Sequence, residues 1–261
     1  MDLGLAGRCA LITGASMGIG YATAQELLSE GVHIALVARD KARLDANAGL
    51  LSNPHGAKIM PLAADMSDAD SITRAFENAA SGLGAIDILV NNAGSTPSGG
   101  LELDDSIWLS SINLKLMGYI RMARLALPLM REHRWGRIIN VIGLGAYQSN
   151  PQYLAGGAIN AALLAATRTL AKIGAQDRVT VNGLNPGPTA TPRWDELVAQ
   201  RARAQNRSID EERALSLSKL PSGRAGQPEE VAALIAFLAS ERAAHINGAL
   251  IGIDGGASTG F

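Results

Sequence analysis

The sequence predicts an α/β protein built on a doubly wound parallel sheet of about seven strands. Short β-branched runs alternate with longer segments of helical periodicity along all 261 residues. Most of these runs are apolar throughout, as expected for strands that are covered by helices on both faces. The first run leads directly into a glycine-rich turn and then a helical segment, which is the typical start of a strand–helix–strand unit.

The predicted elements follow one another without a break in composition over most of the chain. The strands are residues 8–13, 32–38, 58–63, 86–90, 137–142, 179–184 and 250–253. The main helices are residues 19–29, 71–80, 109–131, 158–173 and 228–238. No internal repeat, low-complexity tract or linker divides the chain, so we expect a single domain over residues 1–261.

Residues 191–226 form the one compositional break, a polar insertion after the sixth strand that we predict to be helical. Ligands of open α/β sheets bind beyond the carboxyl ends of the strands, where this insertion begins. The insertion is therefore a candidate substrate lid. A solvated pair of surface helices is the alternative.

The charge balance favours a small-molecule ligand. The chain has 23 Lys and Arg against 24 Asp and Glu, a formal charge of −1, so no net field attracts nucleic acid or an acidic membrane. No window of about 18 uninterrupted apolar residues predicts a membrane span, and no basic and apolar leader opens the sequence. We expect a cytoplasmic protein that binds neither nucleic acid nor membrane.

Cysteine and histidine usage argues against a metal centre. Cys9 is the only cysteine, which excludes an internal disulfide and makes a Cys-rich zinc site implausible. The four histidines lie on separate elements without metal-ligand spacing. We predict no bound metal.

The glycine-rich turn after the first strand predicts an anion site. Gly14, Gly18 and Gly20 would let the backbone approach a diphosphate at the N-terminus of the following helix. The alternative is that the turn, taken on its own, is only a tight connection without a ligand.

Further motifs follow in a fixed order along the chain. They are Thr13-Gly14-x-x-x-Gly18-x-Gly20, Asn91-Asn92-Ala93-Gly94, Asn113, the strand 137–141, Val181-Asn182-x-x-x-Pro186-Gly187 and Asp254-Gly255-Gly256. With these motifs the chain closely resembles the short-chain dehydrogenase/reductase family over nearly its whole length. The resemblance implies a single-domain Rossmann fold that binds NAD(H) or NADP(H).

The resemblance also implies which residues bind the cofactor. Asp65 and Met66 would lie near the adenine, and Pro186, Gly187, Thr189 and Thr191 near the nicotinamide. The remaining expected cofactor-binding residues are Gly14, Ser16, Met17, Gly18, Ile19, Gly20, Arg39, Asn91, Ala93, Gly94 and Asn160.

The residues after the second strand predict NADP(H) in preference to NAD(H). An acidic residue there would bind the ribose diol of NAD, whereas this chain has Ala38 followed by Arg39. A guanidinium suits a 2′-phosphate. The alternative is that Arg39 only caps a surface turn beside Asp40, since Met17 supplies no second basic group.

The catalytic positions that the resemblance implies are largely replaced. Classical members use an Asn, a Ser, a Tyr and a Lys, and Asn113 matches the first. The Ser, Tyr and Lys positions fall on Gly143, Gly156 and Asn160, which cannot transfer a proton near neutral pH. Asn160 could still bind a ribose hydroxyl, without charge.

Tyr153 is the best substitute acid in the sequence. Aligned as a helix residue three positions before Gly156, it would point to nearly the same face and bring its hydroxyl into the vacated volume. A buried structural tyrosine is the alternative.

Three functions remain open. The first is an NADP(H)-dependent oxidoreductase acting on a carbonyl or hydroxyl group of a small organic substrate. The second is a catalytically silent nucleotide-binding subunit paired with an active paralogue, and the third a lyase, hydratase or isomerase on the same fold. The family's long helices predict a homodimer or homotetramer in any case.

Overall fold

The computed structural model describes residues 2–258 and contains one parallel sheet of seven strands. Its spatial order is β3-β2-β1-β4-β5-β6-β7. The strands are β1 (Cys9–Thr13), β2 (His33–Ala38), β3 (Ile59–Ala63), β4 (Ile88–Asn91), β5 (Gly136–Val141), β6 (Val179–Pro186) and β7 (Leu250–Ile253). The predicted doubly wound sheet is confirmed.

Nine α-helices connect the strands in the described part of the chain. They are α1 (Gly18–Ser29), α2 (Lys41–Ala48), α3 (Ala69–Leu83), α4 (Asp105–Ser111), α5 (Gly118–Glu132), α6 (Leu154–Gly174), α7 (Pro192–Ala204), α8 (Ile209–Ser218) and α9 (Pro228–Ala239). Between α4 and α5 the chain stays helical but forms a π-helical segment, Ile112–Met117. Such segments are rare and often occur at functional sites.

Three helical segments differ from the prediction. The predicted helix 109–131 begins at Asp105 and contains the π-helical segment. Helix α2 was not predicted, because it is short and buries only Leu44, which leaves little hydrophobic periodicity. Helix α6 begins at Leu154, four residues before the predicted start at residue 158. Its first turns contain Gly156 and Gly157, whose low helix propensity is overcome by packing.

The core lies on both faces of the sheet because neighbouring strand residues point to opposite sides. Leu11 of β1 packs in one cluster with Leu89 and Ile138. Its neighbour Ile12 packs in the other cluster, under α1 and α9. Continuously apolar strands are therefore buried on both faces, as their sequences predict.

Helix α6, with the turn after it, is long and apolar enough to span a membrane by length and composition alone. The same test is passed by core helices of globular proteins. Here α6 packs along β6 and buries Leu163 and Thr167. We therefore interpret it as a core helix.

The polar segment after β6 folds into the helix pair α7 and α8. Trp194 and Val198 of α7 pack in a small apolar cluster with Ala225. Arg213 of α8 forms a 2.9 Å ion pair with Asp195 of α7. The segment is thus helical and anchored at its base, and its role as a lid stays a prediction.

Candidate cofactor cavity and active site

The main cavity lies along the carboxyl ends of the strands and has a volume of about 890 Å³. It spans the point where the strand order reverses, between β1 and β4, the expected position of a ligand site in this type of sheet. Many of the residues predicted from the sequence line it: Gly14, Ser16, Met17, Gly18, Ile19, Arg39, Met66, Ala93, Gly94, Pro186, Gly187, Thr189 and Thr191.

Close packing holds the glycine-rich turn at the floor of this cavity. Gly14 has a φ of +67°, and a Cβ on it would lie 2.9 Å from the Ala93 Cα atom. A Cβ on Gly20 would collide with the Gly14 carbonyl oxygen. Only glycine fits at these two positions, so the turn can bring its backbone close to a ligand.

The N-terminus of α1 opens onto the cavity without a side-chain cap. Helix α1 starts at Gly18, and its N-cap residue Met17 makes no side-chain capping bond. The first N–H groups of a helix need partners and carry a partial positive charge. The turn and helix start therefore fit the diphosphate of a dinucleotide.

Thr13 and Asn92 fix the two strands on either side of this crevice. The Thr13 hydroxyl accepts hydrogen bonds from the backbone N–H groups of Asn92 and Ala93, at 2.9 and 3.0 Å. The Asn92 side chain donates to the carbonyls of Thr13 and Gly14, at 3.1 and 3.2 Å. Asn92, which the prediction passed over in favour of Asn91, is the asparagine that lines the cavity.

A second guanidinium joins Arg39 at the β2 end of the cavity. Arg43, in the first turn of α2, lines the same wall as Arg39 and Asp40. Its Nε atom lies 3.6 Å from an Asp40 carboxylate oxygen. The sequence prediction looked for a second basic group only at Met17. Since α2 itself was not predicted, Arg43 was missed.

Three predicted site residues do not line the cavity and instead hold local structure. The Asn91 side chain is buried and donates to Asn140 Oδ1 at 3.0 Å. The Asp65 carboxylate accepts from the backbone and hydroxyl of Ser67, which lowers its pKa. The Asn113 side chain donates to the Ser67 carbonyl at 2.6 Å. The proposed catalytic role of Asn113 stays a prediction.

Tyr153 lies beside Gly156, although not in the way the helical alignment implied. It is the N-cap residue before α6 rather than a residue of its first turn. A Cβ on Gly156 would collide with the Tyr153 ring, and one on Gly145 would lie 2.8 Å from that ring. The space that Gly156 vacates is thus taken up by Tyr153.

Burial raises the pKa of the Tyr153 phenol, and interactions with the Thr96 side chain and the charge of Arg193 oppose that rise in part. The hydroxyl therefore keeps its proton at neutral pH. This environment is compatible with a proton donor and equally with a structural tyrosine.

The sequence analysis did not identify Lys115, a lysine in the wall of the cavity. Lys115 belongs to the π-helical segment and is only 5% exposed. Its Nζ atom donates to the Ile142 carbonyl and to Asn160 Oδ1, both at 2.7 Å. Burial lowers its pKa from 10.5 to about 8. The sequence signal that could have identified it is a lysine at an inward-facing position of the predicted helix 109–131.

Asn160 lies behind Lys115 and is itself buried. Its side-chain amide also approaches the Gly143 carbonyl, at 3.5 Å. Gly143 has a φ of +106°, which disfavours the serine that the family would place there. That Gly143, Gly156 and Asn160 replace the family's serine, tyrosine and lysine stays a prediction, and the cation beside Asn160 comes from a different helical segment.

Comparison with known proteins agrees with this architecture. The profile of the family described as Enoyl-(Acyl carrier protein) reductase matches residues 14–258. The chain belongs to the short-chain dehydrogenase/reductase family. The predicted family membership and its Rossmann fold are therefore confirmed.

Relatives within the short-chain dehydrogenase/reductase family match over nearly the full chain. The 3-oxoacyl-[acyl-carrier-protein] reductase FabG of Thermotoga maritima is 34% identical over 97% of this chain and 98% of its own. The NADPH-dependent reductase BacG of Bacillus subtilis is 32% identical over 95% and 97%. L-sorbose reductase from Gluconobacter frateurii, solved with NADPH and L-sorbose, is 33% identical over the whole of both chains with a TM-score of 0.94.

Proposed function

We propose that the protein is an NADP(H)-dependent oxidoreductase that interconverts a carbonyl and a hydroxyl group on a small organic molecule. The observation that carries the proposal is one cavity that joins an uncapped helix N-terminus and glycine turn to the guanidinium groups of Arg39 and Arg43. A diphosphate and a 2′-phosphate are the ligand groups that these two features suit. The proposal is also supported by two relatives, since BacG is named an NADPH-dependent reductase and L-sorbose reductase was solved with NADPH.

When bound, NADPH would supply the hydride that reduces a carbonyl carbon. The protein would hold the phosphates through the glycine turn, α1 and the two arginines. The substrate would enter beside Gly143, on the far side of the nicotinamide-binding residues Pro186 and Thr189. The first turn of α7 lines the mouth of the cavity, so we propose that residues 191–226 act as the substrate lid.

The direct test is a turnover assay in which NADPH absorbance is followed with a panel of carbonyl compounds. The panel should include β-keto thioesters, keto sugars and cyclic ketones, because the relatives act on chemically different substrates. Oxidation of NADPH that depends on one class of carbonyl would support the proposal. If the protein binds NADPH but remains inactive with every carbonyl and with the matching alcohols, the silent-subunit alternative gains, because Gly143 and Gly156 lack the family's proton-carrying groups.

The proposed acid is Tyr153. We expect Tyr153→Phe to lower the turnover rate by about a hundredfold or more, the usual contribution of a general acid to the rate. The affinity for NADPH should stay nearly unchanged. Tyr21→Phe on α1 is the matched control and should retain activity, since Tyr21 packs on the core under α1, whereas Tyr153 packs against Gly156. Full activity of Tyr153→Phe would assign the residue a structural role.

We further propose that the protein works as a cytoplasmic homodimer or homotetramer, with assembly onto an active paralogue as the alternative. Leu109 on α4, Leu129 on α5 and Leu154 on α6 are exposed apolar side chains, at 65%, 39% and 39%. Exposed apolar groups on these helices support association between subunits. The buried free thiol of Cys9 suits a reducing compartment.

A further inference from the structure

Lys115 is a buried cation whose charge is not neutralised within the protein. Its two acceptors, the Ile142 carbonyl and Asn160 Oδ1, are neutral. Among residues 2–258, no carboxylate forms an ion pair with it, and burial alone shifts its pKa. Burying a charge in this way costs free energy, and hydrogen bonds to neutral groups recover only part of it.

The surrounding backbone is shaped to admit this side chain. A Cβ on Gly94 would lie 2.9 Å from the Lys115 Cγ atom, so the glycine leaves room for the lysine stem. The π-helical segment offsets the helix register at Lys115, a distortion that an ordinary core position does not need. Two separate features thus accommodate one costly charge.

The Lys115 ammonium also has a donor left over. A lysine ammonium carries three N–H groups, and the protein accepts two of them. Lys115 lines the cavity together with Gly94, Ile142 and Gly143. The third N–H is therefore available to a ligand in the cavity.

The strand order indicates which part of a dinucleotide would meet Lys115. Arg39 and Arg43 lie after β2, and the glycine turn lies after β1, in the middle of the cavity. With the 2′-phosphate at β2 and the diphosphate at β1, the nicotinamide riboside extends over β4 and β5. Gly94 follows β4 and Gly143 follows β5, so this is the Lys115 end of the cavity.

On the basis of the proposed NADP(H) function, we propose that Lys115 binds a ribose hydroxyl of the nicotinamide riboside through its third N–H. Asn160 is then a positioning residue, which holds the ammonium through Oδ1 and does not itself contact the cofactor. The positive charge that Asn160 lacks is supplied from the π-helical segment instead of from α6. This assignment replaces the expectation that Asn160 binds the ribose without charge.

The test compares two ligands in calorimetric titrations of the wild-type protein and Lys115→Met. NADPH carries the nicotinamide riboside, whereas adenosine 2′,5′-bisphosphate lacks it. We expect Lys115→Met to weaken NADPH binding roughly tenfold to hundredfold, the range for one hydrogen bond to a charged group. Binding of the bisphosphate should change less than about twofold, since it depends on the β2 end of the cavity.

Three further measurements sharpen this test. Lys172→Met, which removes an exposed lysine of α6, should bind both ligands as the wild type does. The double variant Lys115→Met with Asn160→Lys should recover part of the lost NADPH affinity. Wild-type NADPH affinity should fall as the pH rises through about 8, because the ligand hydrogen bond favours the protonated ammonium, and this fall should be absent in Lys115→Met.

Equal NADPH affinity in the wild type and Lys115→Met would overturn the assignment and leave the proposed function intact. Equal weakening of both ligands would also overturn it, by showing that Lys115 only supports the fold of the cavity. Failure of the wild type to bind NADPH would instead remove the proposed function, and the assignment with it.

Discussion

Gly20→Ala is expected to weaken NADPH binding severely. The new Cβ would collide with the Gly14 carbonyl oxygen and lie 2.7 Å from the Asn92 side-chain nitrogen. Both neighbours are held in place, because Asn92 donates to the carbonyls of Thr13 and Gly14. The glycine turn must therefore open, which misplaces the backbone that faces the diphosphate.

The loss of two hydrogen bonds from the turn backbone to the charged diphosphate would weaken NADPH binding roughly a hundredfold or more. The strained packing should also lower the free energy of unfolding by about 1–3 kcal/mol. Calorimetric titration and thermal unfolding measure the two effects separately. The matched control is Gly49→Ala at the end of α2, where φ is −68° and a Cβ would make an ordinary 3.5 Å contact. Wild-type NADPH affinity in Gly20→Ala would contradict the placement of the cofactor.

Arg39→Asp is expected to reverse the cofactor preference. Arg39 lines the β2 end of the cavity and is exposed there, so the substitution is tolerated by the fold. Removing the guanidinium loses a charge-assisted hydrogen bond to the 2′-phosphate, and the new carboxylate repels that phosphate. The same carboxylate can accept hydrogen bonds from the ribose diol of NADH.

We expect NADPH to bind about tenfold to hundredfold more weakly to Arg39→Asp, with NADH binding unchanged or tighter. Arg74→Asp on α3 makes the same charge change outside the cavity wall and should leave both affinities near the wild-type values. If Arg39→Asp and Arg74→Asp weaken NADPH equally, the effect is one of overall charge. Arg39 would then be a surface residue, and Arg43 the remaining candidate for the 2′-phosphate.

The fold was predictable because its signals are local and repeated. Apolar runs such as residues 34–38 of β2 can only be buried on both faces, and the glycine turn marks the start of α1. Helix α2 escaped prediction because a short helix with one buried side chain, Leu44, has almost no periodicity. Arg43 was therefore not predicted as a cavity residue, since its position in the cavity depends on that helix.

The glycine turn could be placed from the sequence because its function lies in the backbone. The side chains expected to take part in catalysis could not be placed, because they come from different helices and meet only in the folded protein. Lys115 and Asn160 are 45 residues apart in the sequence and meet only through the packing of the π-helical segment on α6. The family resemblance predicts that Asn160 replaces a lysine, but a cation supplied from another helical segment leaves no mark in the motif itself.

Tyr153 shows the same limitation in another form. Its contact with Gly156 was anticipated from helical spacing, yet Tyr153 precedes the helix and reaches the glycine from the N-cap position. Periodicity predicted the neighbour correctly from an incorrect local conformation. Only the backbone of the preceding loop determines where the phenol lies.

We predict that this protein binds NADP(H) although the family's serine, tyrosine and lysine positions are predicted to fall on Gly143, Gly156 and Asn160. The most direct test is calorimetric titration of the wild-type protein with NADPH and with NADH. We predict a dissociation constant on the order of micromolar for NADPH, with NADH weaker by about tenfold or more. Absence of binding by both nucleotides would contradict the account and show that the cavity serves a different ligand.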